Sequence, residues 1–385
     1  MKAAQGQNRS ILPCQVTTSL FRIKWLRIKL DEGYNRSTMK NHTRLSLLIF
    51  FLVAGVLAAC SSADPKDGSS SQAAAASQPE ASGPLLWNIL PQFPPRDEVI
   101  SRRLLGLNDL TMVDANTAWI VGTDGGIGYT TNAGIDWGLQ KTGTAVNLTS
   151  VSFVDAAQGW VVGTAGTLLH TTDSGTTWTP LEGIKGVFTL DGIDFVSATT
   201  GWTVSDTGGV YMSSDGGVSW TKQESNTKQD LIDIVMLDDG QNGWAVGWSG
   251  TIIHTADAGA TWTEQNSGVA GILNGVWFID ANIGTIAGSE GTILRTADGG
   301  VTWTQQTSNT TADLIGIFFF DAQNGWAVGS KNTIMNTTDG GTTWTQQKTS
   351  TASDAIRAVV FTSLDSGLSA GSGGHIWKWG TKLEE

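Results

Sequence analysis

The side chains of this 385-residue chain that could do acid–base or metal chemistry are gathered in one phrase that recurs six times. In each copy an acidic or amide residue (Asn132, Asp173, Asp215, Asp257, Asp298, Asp339) is followed by a glycine and then a tryptophan (Trp137, Trp178, Trp220, Trp262, Trp303, Trp344). Carboxylates repeated in this way could form a calcium array or a set of general acids. Their spacing argues against it. Successive tryptophans stand 41 or 42 residues apart, so each carboxylate belongs to its own copy of one unit and can accept the backbone N–H groups of its own turn. His170 and His254 hold the same place in copies two and four, where the other copies carry Tyr129, Met212, Arg295 and Asn336. Two units apart, they are poorly placed to share a metal. No zinc-protease helix or phosphate loop occurs in the chain. The expectation is a protein with no metal, no cofactor and no catalytic residue.

The elements that carry the phrase can be read from the second copy, residues 148–183. It breaks at turn residues into LTSVSFV, GWVVG, TLLHT and TWTPL, short runs rich in β-branched and aromatic side chains. Four such runs joined by DAAQ, TAG and DSGT predict a four-stranded antiparallel meander. A sheet that small cannot cover its own faces, and radial repetition of such blades about an axis solves the problem. Six copies carry the full phrase, and residues 356–380 repeat three strands without it. Trp87, in PLLWNIL, can stand in for the missing tryptophan. The predicted fold is therefore an all-β, seven-bladed β-propeller over residues 85–380, closed by an N-terminal strand that pairs with the C-terminal strands. Those 296 residues lie within two of seven units of 42.

Chain direction sorts the turns onto two faces. The box turns join third and fourth strands and share a face with the turns between first and second strands. The opposite face carries the turns between second and third strands and the connections between blades, and there the copies differ most. Variable loops on a repeated scaffold are the expected binding surface. Its candidates are Trp248, an aromatic in the turn GWSGT, with Glu290 and Lys331 in the equivalent turns and Arg295 as a rare cation.

Residues 45–59 form an apolar run of fifteen, preceded by Lys40 and Arg44 and ending at Cys60 in the sequence LAAC. That is short for a spanning helix and suits a secretion signal. The small residues before the cysteine resemble a bacterial lipoprotein cleavage box, which implies lipidation at Cys60. The expected division is an upstream extension or long leader over 1–38, a signal peptide over 39–59, a Ser/Ala/Pro tether over 60–84, the propeller, and a short tail over 381–385. Past residue 59 the chain holds 14 basic and 33 acidic residues, a net charge of −19. Such a surface repels phosphate backbones, so nucleic acid is not an expected partner.

The repeat also resembles two known groups. Asp-box propellers include sialidases, but these need three arginines and a tyrosine in an order that this chain lacks. Beyond residue 59 it has Arg96, Arg102, Arg103, Arg295 and Arg357 with only Tyr129 and Tyr211. The full unit, clearest in QNGWAVGSKNTIMNTTDGGTTWTQQ (323–347) and QGWVVGTAGTLLHTTDSGTTW (158–178), is similar to the BNR/Asp-box repeat of the Ycf48-like photosystem II assembly and stability factors. That resemblance implies a seven-bladed, non-enzymatic scaffold for a membrane complex on the extracytoplasmic side. The expected function is a lipid-anchored monomer that binds another protein, such as a membrane-complex subunit or envelope protein. The alternative is a glycan-binding or glycan-cleaving cell-surface protein.

Overall fold

The computed structural model describes residues 85–90, 106–347, 349 and 354–381. These form seven four-stranded antiparallel sheets. In blade 2 the strands are Leu148–Phe153, Gly159–Gly163, Thr167–Thr171 and Thr179–Pro180, in that spatial order. Five further blades follow the same plan over residues 107–140, 190–223, 231–265, 273–305 and 314–346, and blade 7 draws three strands from 356–380 and its fourth from 86–89. Each first strand packs against the first strands of both neighbouring blades, and the last touches the first, so seven inner strands close around one axis. The blades are the expected meanders, and the radial arrangement removes the long sheet edge that an open row would expose.

Closure follows the expected route. Leu86–Ile89 pairs antiparallel with Ile376–Gly380 as the outermost strand of blade 7, with Trp87 opposite Trp379. Trp87 is buried and meets Phe361 edge-on at 5.7 Å. Trp178 meets Phe153 in the same way at 6.0 Å, and Trp303 meets Phe278 at 6.0 Å. Trp87 thus supplies from the N-terminal segment what each box tryptophan supplies from its own blade.

The core sits between blades as a relay of rings. Second-strand tryptophans stack flat on a phenylalanine at the end of the next blade's inner strand: Trp119 on Phe153, Trp160 on Phe195, Trp244 on Phe278 and Trp326 on Phe361, at 3.5–3.7 Å. Each such aromatic pair is worth roughly 0.5–1.5 kcal/mol beyond the area it buries. Their positions in the sequence, one per copy, make the same interface between successive blades. Among the described residues no helix is long and apolar enough to cross a membrane. The leader, the signal segment, Cys60 and the tether lie outside the described residues.

Candidate functional site

The box face is built from side chains that bond their own turns. Asp173 Oδ1 accepts from the Thr177 N–H at 2.8 Å and from Thr171 Oγ1 at 2.8 Å, and Oδ2 accepts from Thr177 Oγ1 at 2.7 Å. Asp257, Asp298 and Asp339 repeat this set, and Asp215 does so with Ser213 and Ser219. These bonds favour the charged form, so the five carboxyls are held below the usual range, Asp339 at about 2. In the first copy Asn132 accepts the Asp136 N–H and donates Nδ2 to Asp136 Oδ2, an arrangement two carboxylates could not make. The threonine or serine two residues before the acid was not singled out in the sequence. It is nearly fully buried and also accepts the box glycine N–H, as Thr171 Oγ1 does from Gly175 at 2.8 Å. The constant T-x-D spacing was its signal.

A second fastener escaped sequence reading: a glutamine three residues after the box tryptophan, which reaches the next blade. Gln140 donates Nε2 to Ser174 O and accepts from Trp178 Nε1; Gln223 and Gln265 do the same toward Trp262 and Trp303. Gly175, at φ 81°, is needed here because a Cβ would stand 2.0 Å from Gln140 Oε1.

Arg295 does not lie on the loop face. It occupies the third strand of blade 5, opposite Thr285, which stands where other blades carry the stacking tryptophan. Its guanidinium lies over Phe319 at 5.2 Å, donates Nη1 to Thr285 Oγ1 at 3.1 Å and donates Nη2 to Ala322 O at 3.2 Å. Arg295 therefore fills the slot of a missing indole, and burial lowers its pKa. His170 and His254, at the equivalent strand position, stack on Trp160 and Trp244 at 4.8 and 4.6 Å, and burial lowers their pKa values too. Among the described residues no group of three or more His, Cys, Asp or Glu side chains could hold a metal.

Trp248, Glu290 and Lys331 do lie on the loop face, each in the turn between second and third strands of blades 4, 5 and 6. All three are exposed, Trp248 at 49%. They sit in separate blades and are not brought together. Glu290 and Lys331 hold the middle of their turns at φ 56° and 57°. Glu290 lines an open groove with residues 305–311, whose glutamine, serine, threonine and asparagine side chains make it polar. The sequence did not flag Phe188, in the connection between blades 2 and 3, which is 77% exposed.

The mouth of the axis on this face carries a further acid. Asn108, Thr149 and Asn274, each second in its inner strand, donate to the carbonyl of the leucine that opens the next inner strand. Asp191 holds that position in blade 3, where a carboxylate has no proton to give. Burial, with Asp206 and Asp230 nearby, pushes its pKa up to about 7. Deeper in the ring, Asp109 accepts the Val151 N–H and Asp233 accepts the Val276 N–H, both at 2.9 Å, but burial dominates and raises them to about 6 and about 7.

Comparison with known proteins fits this geometry. No curated protein matches the chain. Among solved structures, a YCF48 bound to a D1 peptide superposes with a TM-score of 0.64 at 19% identity, covering 80% of this chain and 100% of that one. YCF48 from Cyanidioschyzon merolae gives 0.63 at 19% identity over 77% and 99%. A virginiamycin B lyase from Staphylococcus aureus gives 0.65 at 15% identity over 78% and 100%. At those identities the likeness is one of fold, and the ring is shared by binding proteins and enzymes. The sequence itself goes further. Its residues 98–187, 183–306 and 303–377 match the family described as photosynthesis system II assembly factor YCF48, and the chain belongs to that family.

Proposed function

We propose that this chain is a non-enzymatic scaffold that binds another protein on its loop face and serves the assembly or stability of a membrane complex. The observation that carries the reading is the division of labour between the two faces. Each box carboxylate is bonded within its own turn, and the copies differ most on the loop face. A related propeller is recorded with a D1 peptide bound, which supports a peptide-binding role for the shared scaffold. The strongly acidic surface, net −19 past residue 59, favours a basic partner and disfavours nucleic acid. Lipidation at Cys60 would hold the ring at an extracytoplasmic membrane surface, with residues 61–84 as spacer. The partner is a membrane-complex subunit or envelope protein, engaged by a monomer.

Pull-down from solubilised membranes tests the reading. A stoichiometric partner should be recovered by the native chain and lost when the turns around Trp248 and Glu290 are replaced. Reproducible glycoside turnover abolished by a single carboxylate change would overturn it. Anchoring is tested separately: Cys60→Ala should move the chain from the detergent phase to the aqueous phase on cloud-point partition.

A further inference from the structure

Two large aromatic side chains, Phe188 and Trp248, stand exposed on the loop face. Phe188 acts in the fold through its backbone: its carbonyl accepts the Ala165 N–H at 2.7 Å, as Val146 and Gly271 accept from Gly125 and Gly250. The position is valine and glycine in those copies, yet here it is a phenyl ring 77% exposed. The position of Trp248 carries a side-chain acceptor in four of the other six blades, with Thr123 in blade 1 and Thr164, which donates to Asn147 O, in blade 2. At its position Asp206, Ser289, Ser330 and Ser372 each offer an oxygen to an N–H of the incoming connection (Thr189, Ile272, Asp313 and Ala355). An indole cannot accept that bond, so blade 4 forgoes it and exposes a large ring instead. A half-exposed indole in a turn where the other copies carry Asp, Ser or Thr presents aromatic surface to a partner.

Phe188 and Trp248 flank the Asp206–Gly208 turn of blade 3 through their backbone, and a hydrogen-bonded path joins them. Phe188 N–H donates to Asp206 Oδ1 at 3.2 Å, Thr207 N–H donates to Asp230 Oδ1 at 2.7 Å, and Trp248 N–H donates to Asp230 O at 2.9 Å. The anchors are therefore mounted on ordered backbone with carboxylates between them, and Asp191 faces the same acids from the inner strand. Lys185, in the connection before Phe188, is held by Glu182 at 3.2 Å; Lys228 is exposed on the connection that carries Asp230. Acids outnumber cations in this sector. An aromatic pair around like-signed charge suits an extended segment with apolar side chains and an arginine or lysine between them, through ring packing, cation–π contact and charge.

Resting on the protein-binding reading, we infer that Phe188 and Trp248 anchor a docking surface over blades 2–4 for an extended, basic and apolar segment of a partner protein, with Asp206 and Asp230 receiving its cation. Fluorescence polarisation of the purified chain with a short fluorescein-labelled peptide of alternating Arg and Leu tests it, against a Glu/Leu twin. Phe188→Ser with Trp248→Ser should weaken the Arg/Leu peptide about tenfold or more. Asp206→Asn with Asp230→Asn keeps the acceptor oxygens and should weaken it severalfold while flattening its salt dependence. Val301→Ser, an exposed change on the box face, should leave it unaltered. No binding of the Arg/Leu peptide, equal binding of the Glu/Leu twin, or indifference to the aromatic pair would each overturn the proposal. So would concentration-dependent dimerisation abolished by the aromatic pair, since a second copy would then be the occupant. If the aspartate pair fails to fold, the aromatic pair, both exposed, decides alone. Should the partner in pull-down remain bound to the aromatic variant, this surface falls while the protein-binding reading stands; recovery of nothing by the native chain sinks that reading instead.

Discussion

The two faces of the ring are made of the same turn residues and use them in opposite ways. On the box face, Thr171, Asp173 and Gly175 satisfy one another, and Gln140 ties that turn to the preceding blade. On the loop face, the turn geometry is equally regular, with Asp124, Thr207, Ser249 and Glu290 all near φ 54–62°, yet at these φ positions the side chain changes from copy to copy. Repetition thus fixes one face for cohesion and releases the other for recognition. The release is visible in Trp248 and Phe188, whose rings meet solvent where other copies place small or polar groups.

Two tryptophans separate these roles most sharply. Trp160 is fully buried, stacks on Phe195 at 3.7 Å and donates Nε1 to Gly216 O at 2.8 Å. Trp160→Ala should cost about 3–5 kcal/mol in urea unfolding, by cavity and lost stacking. Trp248→Ala should stay within about 0.5 kcal/mol of the native chain. Equal losses at the two sites would dissolve the distinction between a cohesive face and a recognition face.

A smaller effect sharpens the account of how blades adhere. Arg295→Ala removes two hydrogen bonds and the cation over Phe319, for an expected loss of about 1–3 kcal/mol. Thr285→Trp alone overfills the same slot and should also destabilise. Combined, they recreate the indole-on-phenyl stack of the other blades, so the double variant should recover much of the loss. A strictly additive result in a double-mutant cycle would show that arginine and indole do not share one site.

Most of the fold was legible because repetition multiplies weak signals. One stretch such as TLLHT is ambiguous alone; six at a fixed period with a turn phrase after each are not. Trp87 could be matched to its role for the same reason: blade 7 lacked a box tryptophan. Arg295 shows where single-position reading fails. Its equivalents in other copies are Tyr129, His170, Met212, His254 and Asn336, and the decisive signal lay ten residues earlier, where Thr285 replaces the usual tryptophan. The Gln140 clamp and the Thr171 hydroxyl were visible as constant offsets from the box, but only three dimensions show that one crosses to the next blade and the other stays home. Phe188 left no pattern at all, since its distinction is exposure.

The smallest expected effect concerns protons. Asp109, Asp191 and Asp233 have folded pKa values raised to about 6, 7 and 7, so between the ordinary carboxyl value near 3.8 and about 7 the folded state binds more protons than the unfolded chain. Stability from these groups is greatest below pH 4 and declines as pH rises to about 7. The box carboxyls, depressed in the fold, act with opposite sign: their contribution is present above pH 4 and is lost as pH falls toward 2. The thermal midpoint should therefore peak in mildly acidic buffer, near pH 4–5, and drop toward pH 8. Asp191→Asn gives blade 3 the amide that Asn108 and Asn274 use to bond the next blade. It should raise the midpoint at pH 8 more than at pH 5, whereas Asp173→Asn, on the box face, should lower it at both. A pH-independent gain for Asp191→Asn would mean that charge at the mouth of the axis does not oppose closure of the ring.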